Sequence, residues 1–316
     1  VSPLVVLGAT GFVGRHVLTR ARTDWAAPIV AVGRRGREEV APIVAVQGDI
    51  CDVAALVATL PPGAVIVNAA YAPSASAAEN LALAEAVVDL ATRTRAAGLV
   101  HLSTAVVVGP RAPRRVDEDT PCRPVTTYQR TKLEIERQLA ARLSGVCPLV
   151  ILRPTAVFGD GGANLRKLVA DLRSRPAIEN YARACLFGRR PMNLVPVETV
   201  AAAVLFAASR CERAAPVWIV SDDDAEGNDF RGVECAIRHA LPSRAHALPV
   251  VPLPRVLLSM AQRMTGRRTL PVDVRFSAAR LTAAGFVAPV TFPEALARYA
   301  KAAASAARSI VVEATR

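Results

Sequence analysis

Tyr128 and Lys132 stand four residues apart in the run Tyr128-Gln129-Arg130-Thr131-Lys132. On a helix that spacing puts both side chains on one face. Thr126 or Thr127 can cap such a helix, and Leu133, Leu139 and Leu143 continue as its buried side. A phenol ordinarily loses its proton near pH ~10, and a neighbouring ammonium favours the anion. The pair therefore suits proton transfer at working pH. A Tyr–Lys pair alone is common in structural helices. This one follows, by about 25 residues, an apolar run at 99–104 that ends in Thr104, in a chain that opens on a glycine-rich turn.

Those residues need elements to hold them. Residues 4–7 are Leu-Val-Val-Leu, an apolar run of strand length. The turn Gly8-Ala9-Thr10-Gly11-Phe12-Val13-Gly14 follows at once, and Val13, Val17 and Leu18 then read as a helix. Strand, glycine turn and helix open a dinucleotide-binding βαβ unit. Gly8 permits the tight turn, Gly11 lets the backbone approach a pyrophosphate, and Gly14 lets the helix pack on the strand. Thr10, Phe12 and Val13 lie in the same cradle, and the helix N-terminus favours the phosphates. Residues 29–33, 43–46, 64–67, 99–104, 148–154 and 216–221 read as further strands, and 79–97 and 127–143 as long helices. The expected fold is α/β: a Rossmann doubly wound parallel sheet with a smaller C-terminal substrate-binding region. Residues 1–160 with 194–220 would form the nucleotide domain, and 161–193 with 221–316 the substrate region.

The second strand ends in Gly33-Arg34-Arg35, with no acid to hold a ribose 2′-hydroxyl. Arginine pairs a 2′-phosphate, so NADP(H) is preferred, with NAD(H) possible. A solvated basic loop is the plainer reading of the same residues. Asn68-Ala69-Ala70 closes the fourth strand with small residues that leave room for a cofactor. Asp49 also reads as a turn residue and N-cap for a helix at 53–60.

Bulk composition narrows the partners. Hydrophobic residues make up 52% of the 316-residue chain and aromatics 4%, which fits an α/β protein. No run nears the ~18 apolar residues of a membrane helix. No basic region precedes the strand at Leu4, so no secretory signal is expected, and the six scattered cysteines are expected to be reduced thiols of a cytoplasmic protein. No C-x-x-C pair supports a metal, and Asp222-Asp223-Asp224 reads as a solvated turn. The net charge of +12 is dispersed, without an aromatic-interleaved stripe, and an Arg-rich composition with an anionic small-molecule substrate accounts for it at least as well as nucleic acid does.

The Gly8–Gly11–Gly14 spacing, Thr104 with Gly109, Tyr128 with Lys132, and Leu152-Arg153-Pro154 leading to Phe158-Gly159 together resemble the extended short-chain dehydrogenase/reductase family, of the NAD-dependent epimerase/dehydratase and nucleotide-sugar ketoreductase kind. The resemblance runs to about Arg298. It implies that Thr104, Tyr128 and Lys132 are catalytic. It places Asp49 and Ile50 at the adenine, Asn68, Ala69, Ala70 and Pro154 along the cofactor, and Asn80 and Glu118 near the site. Tyr71, Thr155, Arg189, Arg190 and Arg280 are the candidate substrate residues. Tyr128 would exchange a proton with the substrate, its pKa lowered by Lys132 and the oxidised nicotinamide. Thr104 would hold the reacting oxygen, and Lys132 would reach the ribose.

Dehydratases of the family place Asp-Glu after the catalytic hydroxyl, whereas Ala105-Val106 follows Thr104 here. Ala156 and Met192 stand where epimerase-like members have Asn and a diphosphate-binding Arg. The favoured function is an NADP(H)-dependent reductase of a keto group on a nucleotide-linked sugar. The alternatives are an epimerase with bound NAD, an enzyme acting on a non-sugar ketone or alcohol, and an NADP-binding sensor without turnover. A homodimer through the helices at 79–97 and 127–143 is possible by the same resemblance.

Overall fold

Leu4–Leu7 (β1) is apolar at every position and buried on both faces, as a central parallel strand must be. Its neighbours are Ile29–Gly33 (β2) and Val65–Asn68 (β4), with Leu4 level with Ile29 on one side and Val65 on the other. Ile43–Gln47 (β3) closes one edge. Gly98–Leu102 (β5), Leu149–Pro154 (β7) and Val217–Val220 (β10) extend the other. The seven strands are all parallel, in the order β10-β7-β5-β4-β1-β2-β3. Strand order reverses at β1, so a crevice opens beyond the C-terminal ends of β1 and β4. The computed structural model describes residues 1–34, 41–211, 216–241, 250–251, 253 and 270–314, with side chains to residue 305.

Phe12–Asp24 (α1) and Val197–Ala208 (α7) cover one face of the sheet, around Val17, Leu18, Val200 and Val204. Val53–Thr59 (α2), Ala77–Arg93 (α3) and Thr127–Leu143 (α4) cover the other, around Leu56, Val87, Leu90 and Leu139. Capping boxes start the two long helices: Ser76 with Glu79 opens α3, and Thr126 with Gln129 opens α4. The N-cap of α2 is Asp52, not Asp49. Asp52 accepts from the Ala55 amide, whereas Asp49 turns onto the amide of Cys51 two residues on. The stretch after Thr104 is a 3₁₀ turn, Ala105–Val108. Among the described residues no helix is long and apolar enough to cross a membrane.

The C-terminal elements gather around a separate cluster that includes Phe158, Leu168, Leu172, Phe230, Ile237 and Phe292. It joins Ala156–Phe158 (β8) and Leu194–Pro196 (β9) to the helices Arg166–Ser174 (α5), Ala177–Phe187 (α6), Phe230–Ala240 (α8) and Phe292–Ala314 (α10). Arg115–Val116 (β6) pairs with Arg275–Phe276 (β11), and Ala279–Ala283 (α9) follows.

The acidic triplet after β10 is not a solvated turn. Asp223 is 1% exposed, and its Oδ2 accepts from Asn193 Nδ2 at 2.6 Å and from the Phe276 amide at 2.7 Å. It thereby ties the residue before β9 to β11. Asn193 sits at φ +50° to reach it. Among the described residues, buried Oδ1 of Asp223 and Oδ2 of Asp222 have no hydrogen-bond partner. Burial, with mutual repulsion at Asp222, pushes both acids up to about 6. An acid raised in the folded state stabilises the fold while protonated and loses that contribution as pH rises through its folded pKa. Asp222→Asn is therefore expected to raise stability by about 1–2 kcal/mol at pH 8 and by little at pH 4. Chemical denaturation at the two pH values measures the difference.

Candidate active site

The cradle at the end of β1 is built by what glycine lacks. Gly8 has φ +74°, and a Cβ there would lie 2.8 Å from the Ala70 nitrogen. A Cβ on Gly14 would lie 2.3 Å from the Gly8 carbonyl oxygen, so α1 could not approach β1. Gly11 is the N-cap of α1 and donates its own N–H to the Gly8 carbonyl at 2.9 Å. No side chain caps this helix and no acid lies in its first turn. Its first amides and positive end are left for an anion, and a dinucleotide pyrophosphate fits that cradle. Thr10 is exposed at its lip, Phe12 packs its ring near Gly162, and Val13 is half-buried. Arg34 is exposed at the end of β2, with its carbonyl accepting from Gln47. Arg35 lies outside the described residues. Asp49 is exposed and Ile50 buried beyond β3.

The cradle runs straight into the Tyr–Lys pair. Ala70 abuts Gly8, and Tyr71 follows it. The ring of Tyr71 meets that of Tyr128 edge to face, with centroids 5.5 Å apart. The same Tyr71 ring lies 4.4 Å from Nζ of Lys132. Lys132 is 5% exposed, and Nζ donates to the carbonyl of Leu102 at 3.0 Å. Tyr128 is 42% exposed, in the first turn of α4. Thr104, buried at the end of β5, places its hydroxyl beside the phenol. Tyr128 thus lies beside Thr104, and the Tyr71 ring links it to Lys132.

Their protonation differs from the expectation. Burial raises Tyr128 above its ordinary range, Thr104 pulls it back, and the neighbouring Tyr71 adds to the rise. Lys132 is not among these influences, so the anticipated lowering by the ammonium is not found here. Burial instead lowers Lys132 to about 8, against the charge of Glu136, which favours the ammonium. The arrangement holds a protonated phenol, ready to donate.

Several expected cofactor and substrate residues serve the scaffold. Asn68 is buried, and its Oδ1 accepts from the Ala70 amide at 3.1 Å. That orients its Nδ2 towards Nδ1 of His101, at 3.2 Å. Nδ1 is then the acceptor, and the His101 proton sits on buried Nε2, which has no hydrogen-bond partner among the described residues. Burial, then Lys132, pushes His101 well below its usual range, so it stays neutral. Asn80 clamps the loop before α3, bonding Ala72 through both its carbonyl and its amide, and Ser76. Glu118 accepts from the Ile219 amide. Arg280 pairs with Asp119 at 2.6 Å and with Glu118 at 3.7 Å. Thr155 and Pro154 are buried at the end of β7. Arg189 is exposed; Arg190 is half-buried, pushed down by burial, and has no ion pair among the described residues.

One cluster escaped the sequence reading. Glu136, one helical turn beyond Lys132, is buried and takes Arg153 of β7 in a fork, with contacts of 3.0 Å and 2.5 Å. Ser103, next to Thr104, donates to the same carboxylate. The cluster ties α4, β5 and β7 together next to Thr104 and Lys132. Its signal was present as an acid at i+4 on the apolar face of a helix.

The family model for the NAD dependent epimerase/dehydratase family matches residues 4–220. Solved structures of similar fold include a dTDP-glucose 4,6-dehydratase from Bacillus anthracis in complex with NAD. It is 16% identical, with 95% of this chain and 96% of that one covered and a TM-score of 0.71. A UDP-glucose 4-epimerase from Thermus thermophilus, in complex with NAD, is 18% identical, with 94% and 97% covered and a TM-score of 0.67. A UDP-N-acetylglucosamine 4-epimerase from Bacillus cereus is 15% identical, with 95% and 98% covered and a TM-score of 0.63. No curated protein matches.

Breaking the buried pair should be far worse than removing it. Glu136→Gln alone leaves the Arg153 cation uncompensated and is expected to destabilise by about 3–5 kcal/mol. Glu136→Gln with Arg153→Met should recover a large part of that loss, and a double-mutant cycle on unfolding free energies measures the coupling.

Proposed function

The chain belongs to the NAD dependent epimerase/dehydratase family, an enzyme family of the short-chain dehydrogenase/reductase type, and from that premise we propose that it reduces the keto group of a nucleotide-linked sugar with NADP(H). The observation that carries this reading is the protonated Tyr128 phenol beside Thr104 and the buried Lys132, joined through Tyr71 and Ala70 to the glycine cradle. The nicotinamide dinucleotide would supply the hydride. Gly8, Gly11 and Gly14 would bring its pyrophosphate to the N-terminus of α1. Tyr128 donates its proton to the carbonyl oxygen, and Thr104 hydrogen-bonds that oxygen and holds it in line. Lys132 keeps positive charge in the site and reaches the ribose.

NADP(H) is supported by Arg34 at the end of β2 and by the absence of an acid there. An anionic substrate is supported by Arg190, a half-buried guanidinium without an ion pair among the described residues, two positions before Met192. A desolvated, unpaired cation is costly to the fold and favourable to an anion. The NAD in solved relatives favours a second reading, an epimerase that retains its cofactor. The two separate on purification: an epimerase would carry oxidised cofactor, and a reductase would exchange NADPH freely.

The deciding experiment titrates NADPH against NADH by fluorescence and then assays keto sugars linked to dTDP, UDP and GDP. Tyr128→Phe is expected to lower turnover at least ~100-fold while leaving cofactor affinity near wild type. An unchanged rate would leave only a cofactor-binding sensor. Turnover in the reducing direction is expected to fall as pH rises through about 8, where Lys132 loses its proton. A profile flat from pH 7 to pH 9 would remove Lys132 from the mechanism.

A further inference from the structure

Lys132 brings three N–H donors into a buried place, and the Leu102 carbonyl satisfies one of them. No second nitrogen or oxygen acceptor meets Nζ among the described residues. The charged and titratable groups around it do not fill that role. Glu136, on the same helix, is engaged by Arg153 and Ser103. His101, on β5, is neutral and turns its acceptor nitrogen to Asn68. Tyr128 stands towards Thr104. What remains is the ring of Tyr71, with its centroid 4.4 Å from the ammonium and its edge against Tyr128 at an interplanar angle of 83°.

We propose that Tyr71 is a positioning residue of the active site: its ring face is the second seat of the Lys132 ammonium, holding it charged and in place beside Tyr128. The proposal rests on the reading of Tyr128 and Lys132 as the working pair. An aromatic face attracts a cation through its quadrupole, and more strongly where water is excluded. The backbone has already placed Tyr71 for this. Ala70 is locked against Gly8 and held by Asn68, so the residue after it is delivered from the cofactor cradle to the Lys–Tyr pair. The face of the ring, rather than its hydroxyl, does the holding. Phenylalanine should therefore serve, and an aliphatic residue of similar bulk should not.

The test needs no substrate. Only three of the chain's 39 basic residues are lysines, Lys132, Lys167 and Lys301, so protein grown on lysine labelled with carbon-13 at the ε position gives three signals. Lys167 is exposed on α5 and Lys301 on α10. Lys132→Met identifies the third signal. Wild type and Tyr71→Phe are expected to titrate together, near pH 8. Tyr71→Leu and Tyr71→Met are each expected to lower that titration by about one pH unit. The proposal is overturned if the aliphatic variants titrate with wild type or higher, or if Tyr71→Phe shifts as far as they do. Loss of turnover in Tyr128→Phe tests the catalytic pair itself, so either idea can fail alone.

Discussion

A single ammonium, taken out of water at Lys132, is the constraint around which the catalytic half of this protein is arranged. A buried cation without partners would shed its proton or unfold its surroundings. Here β5 presents a carbonyl, the loop after β4 presents an aromatic face, and Glu136 holds a negative charge one helical turn away. His101 contributes by staying neutral, since a second cation in that space would oppose the first. The carbonyl and His101 come from β5, the ring from the loop after β4, and Glu136 from the same helix as Lys132, so folding must bring three segments together.

The same molecule handles buried carboxylates in two opposite ways. Glu136 is matched with Arg153 in a fork and with the Ser103 hydroxyl, and so remains paired between α4, β5 and β7. Asp223 takes hydrogen bonds from Asn193 and the Phe276 amide and feels the Arg275 cation, yet burial outweighs them; Asp222 has the charge of Asp223 beside it, and both rise towards neutral pH. The first cluster braces α4 against the strands that carry Thr104 and the Leu102 carbonyl. The second braces the junction of β9, β10 and β11, where Asn193 takes up a left-handed backbone to meet Asp223. Protonation of the C-terminal junction therefore answers to pH near 6.

Local rules governed what could be read from the chain alone. The glycine turn is legible because a positive φ at Gly8 and a close approach at Gly14 exclude any Cβ. The strands are legible as apolar runs, and Tyr128 and Lys132 share a face because 3.6 residues make a turn. Spacing and residue type thus determined the Rossmann layout, the glycine cradle and the shared face of Tyr128 and Lys132. Contacts between residues far apart in sequence were decided only by the folded chain. Glu136 and Arg153 are 17 positions apart, Ser103 and Glu136 33, and Asp223 and Phe276 53. So were the inward turn of Asn68, the capture of Arg280 by Asp119, and the raised pKa of Tyr128. The reason is desolvation: a side chain's charge state and partners depend on which segments exclude water from it, and that is a property of packing rather than of order along the chain.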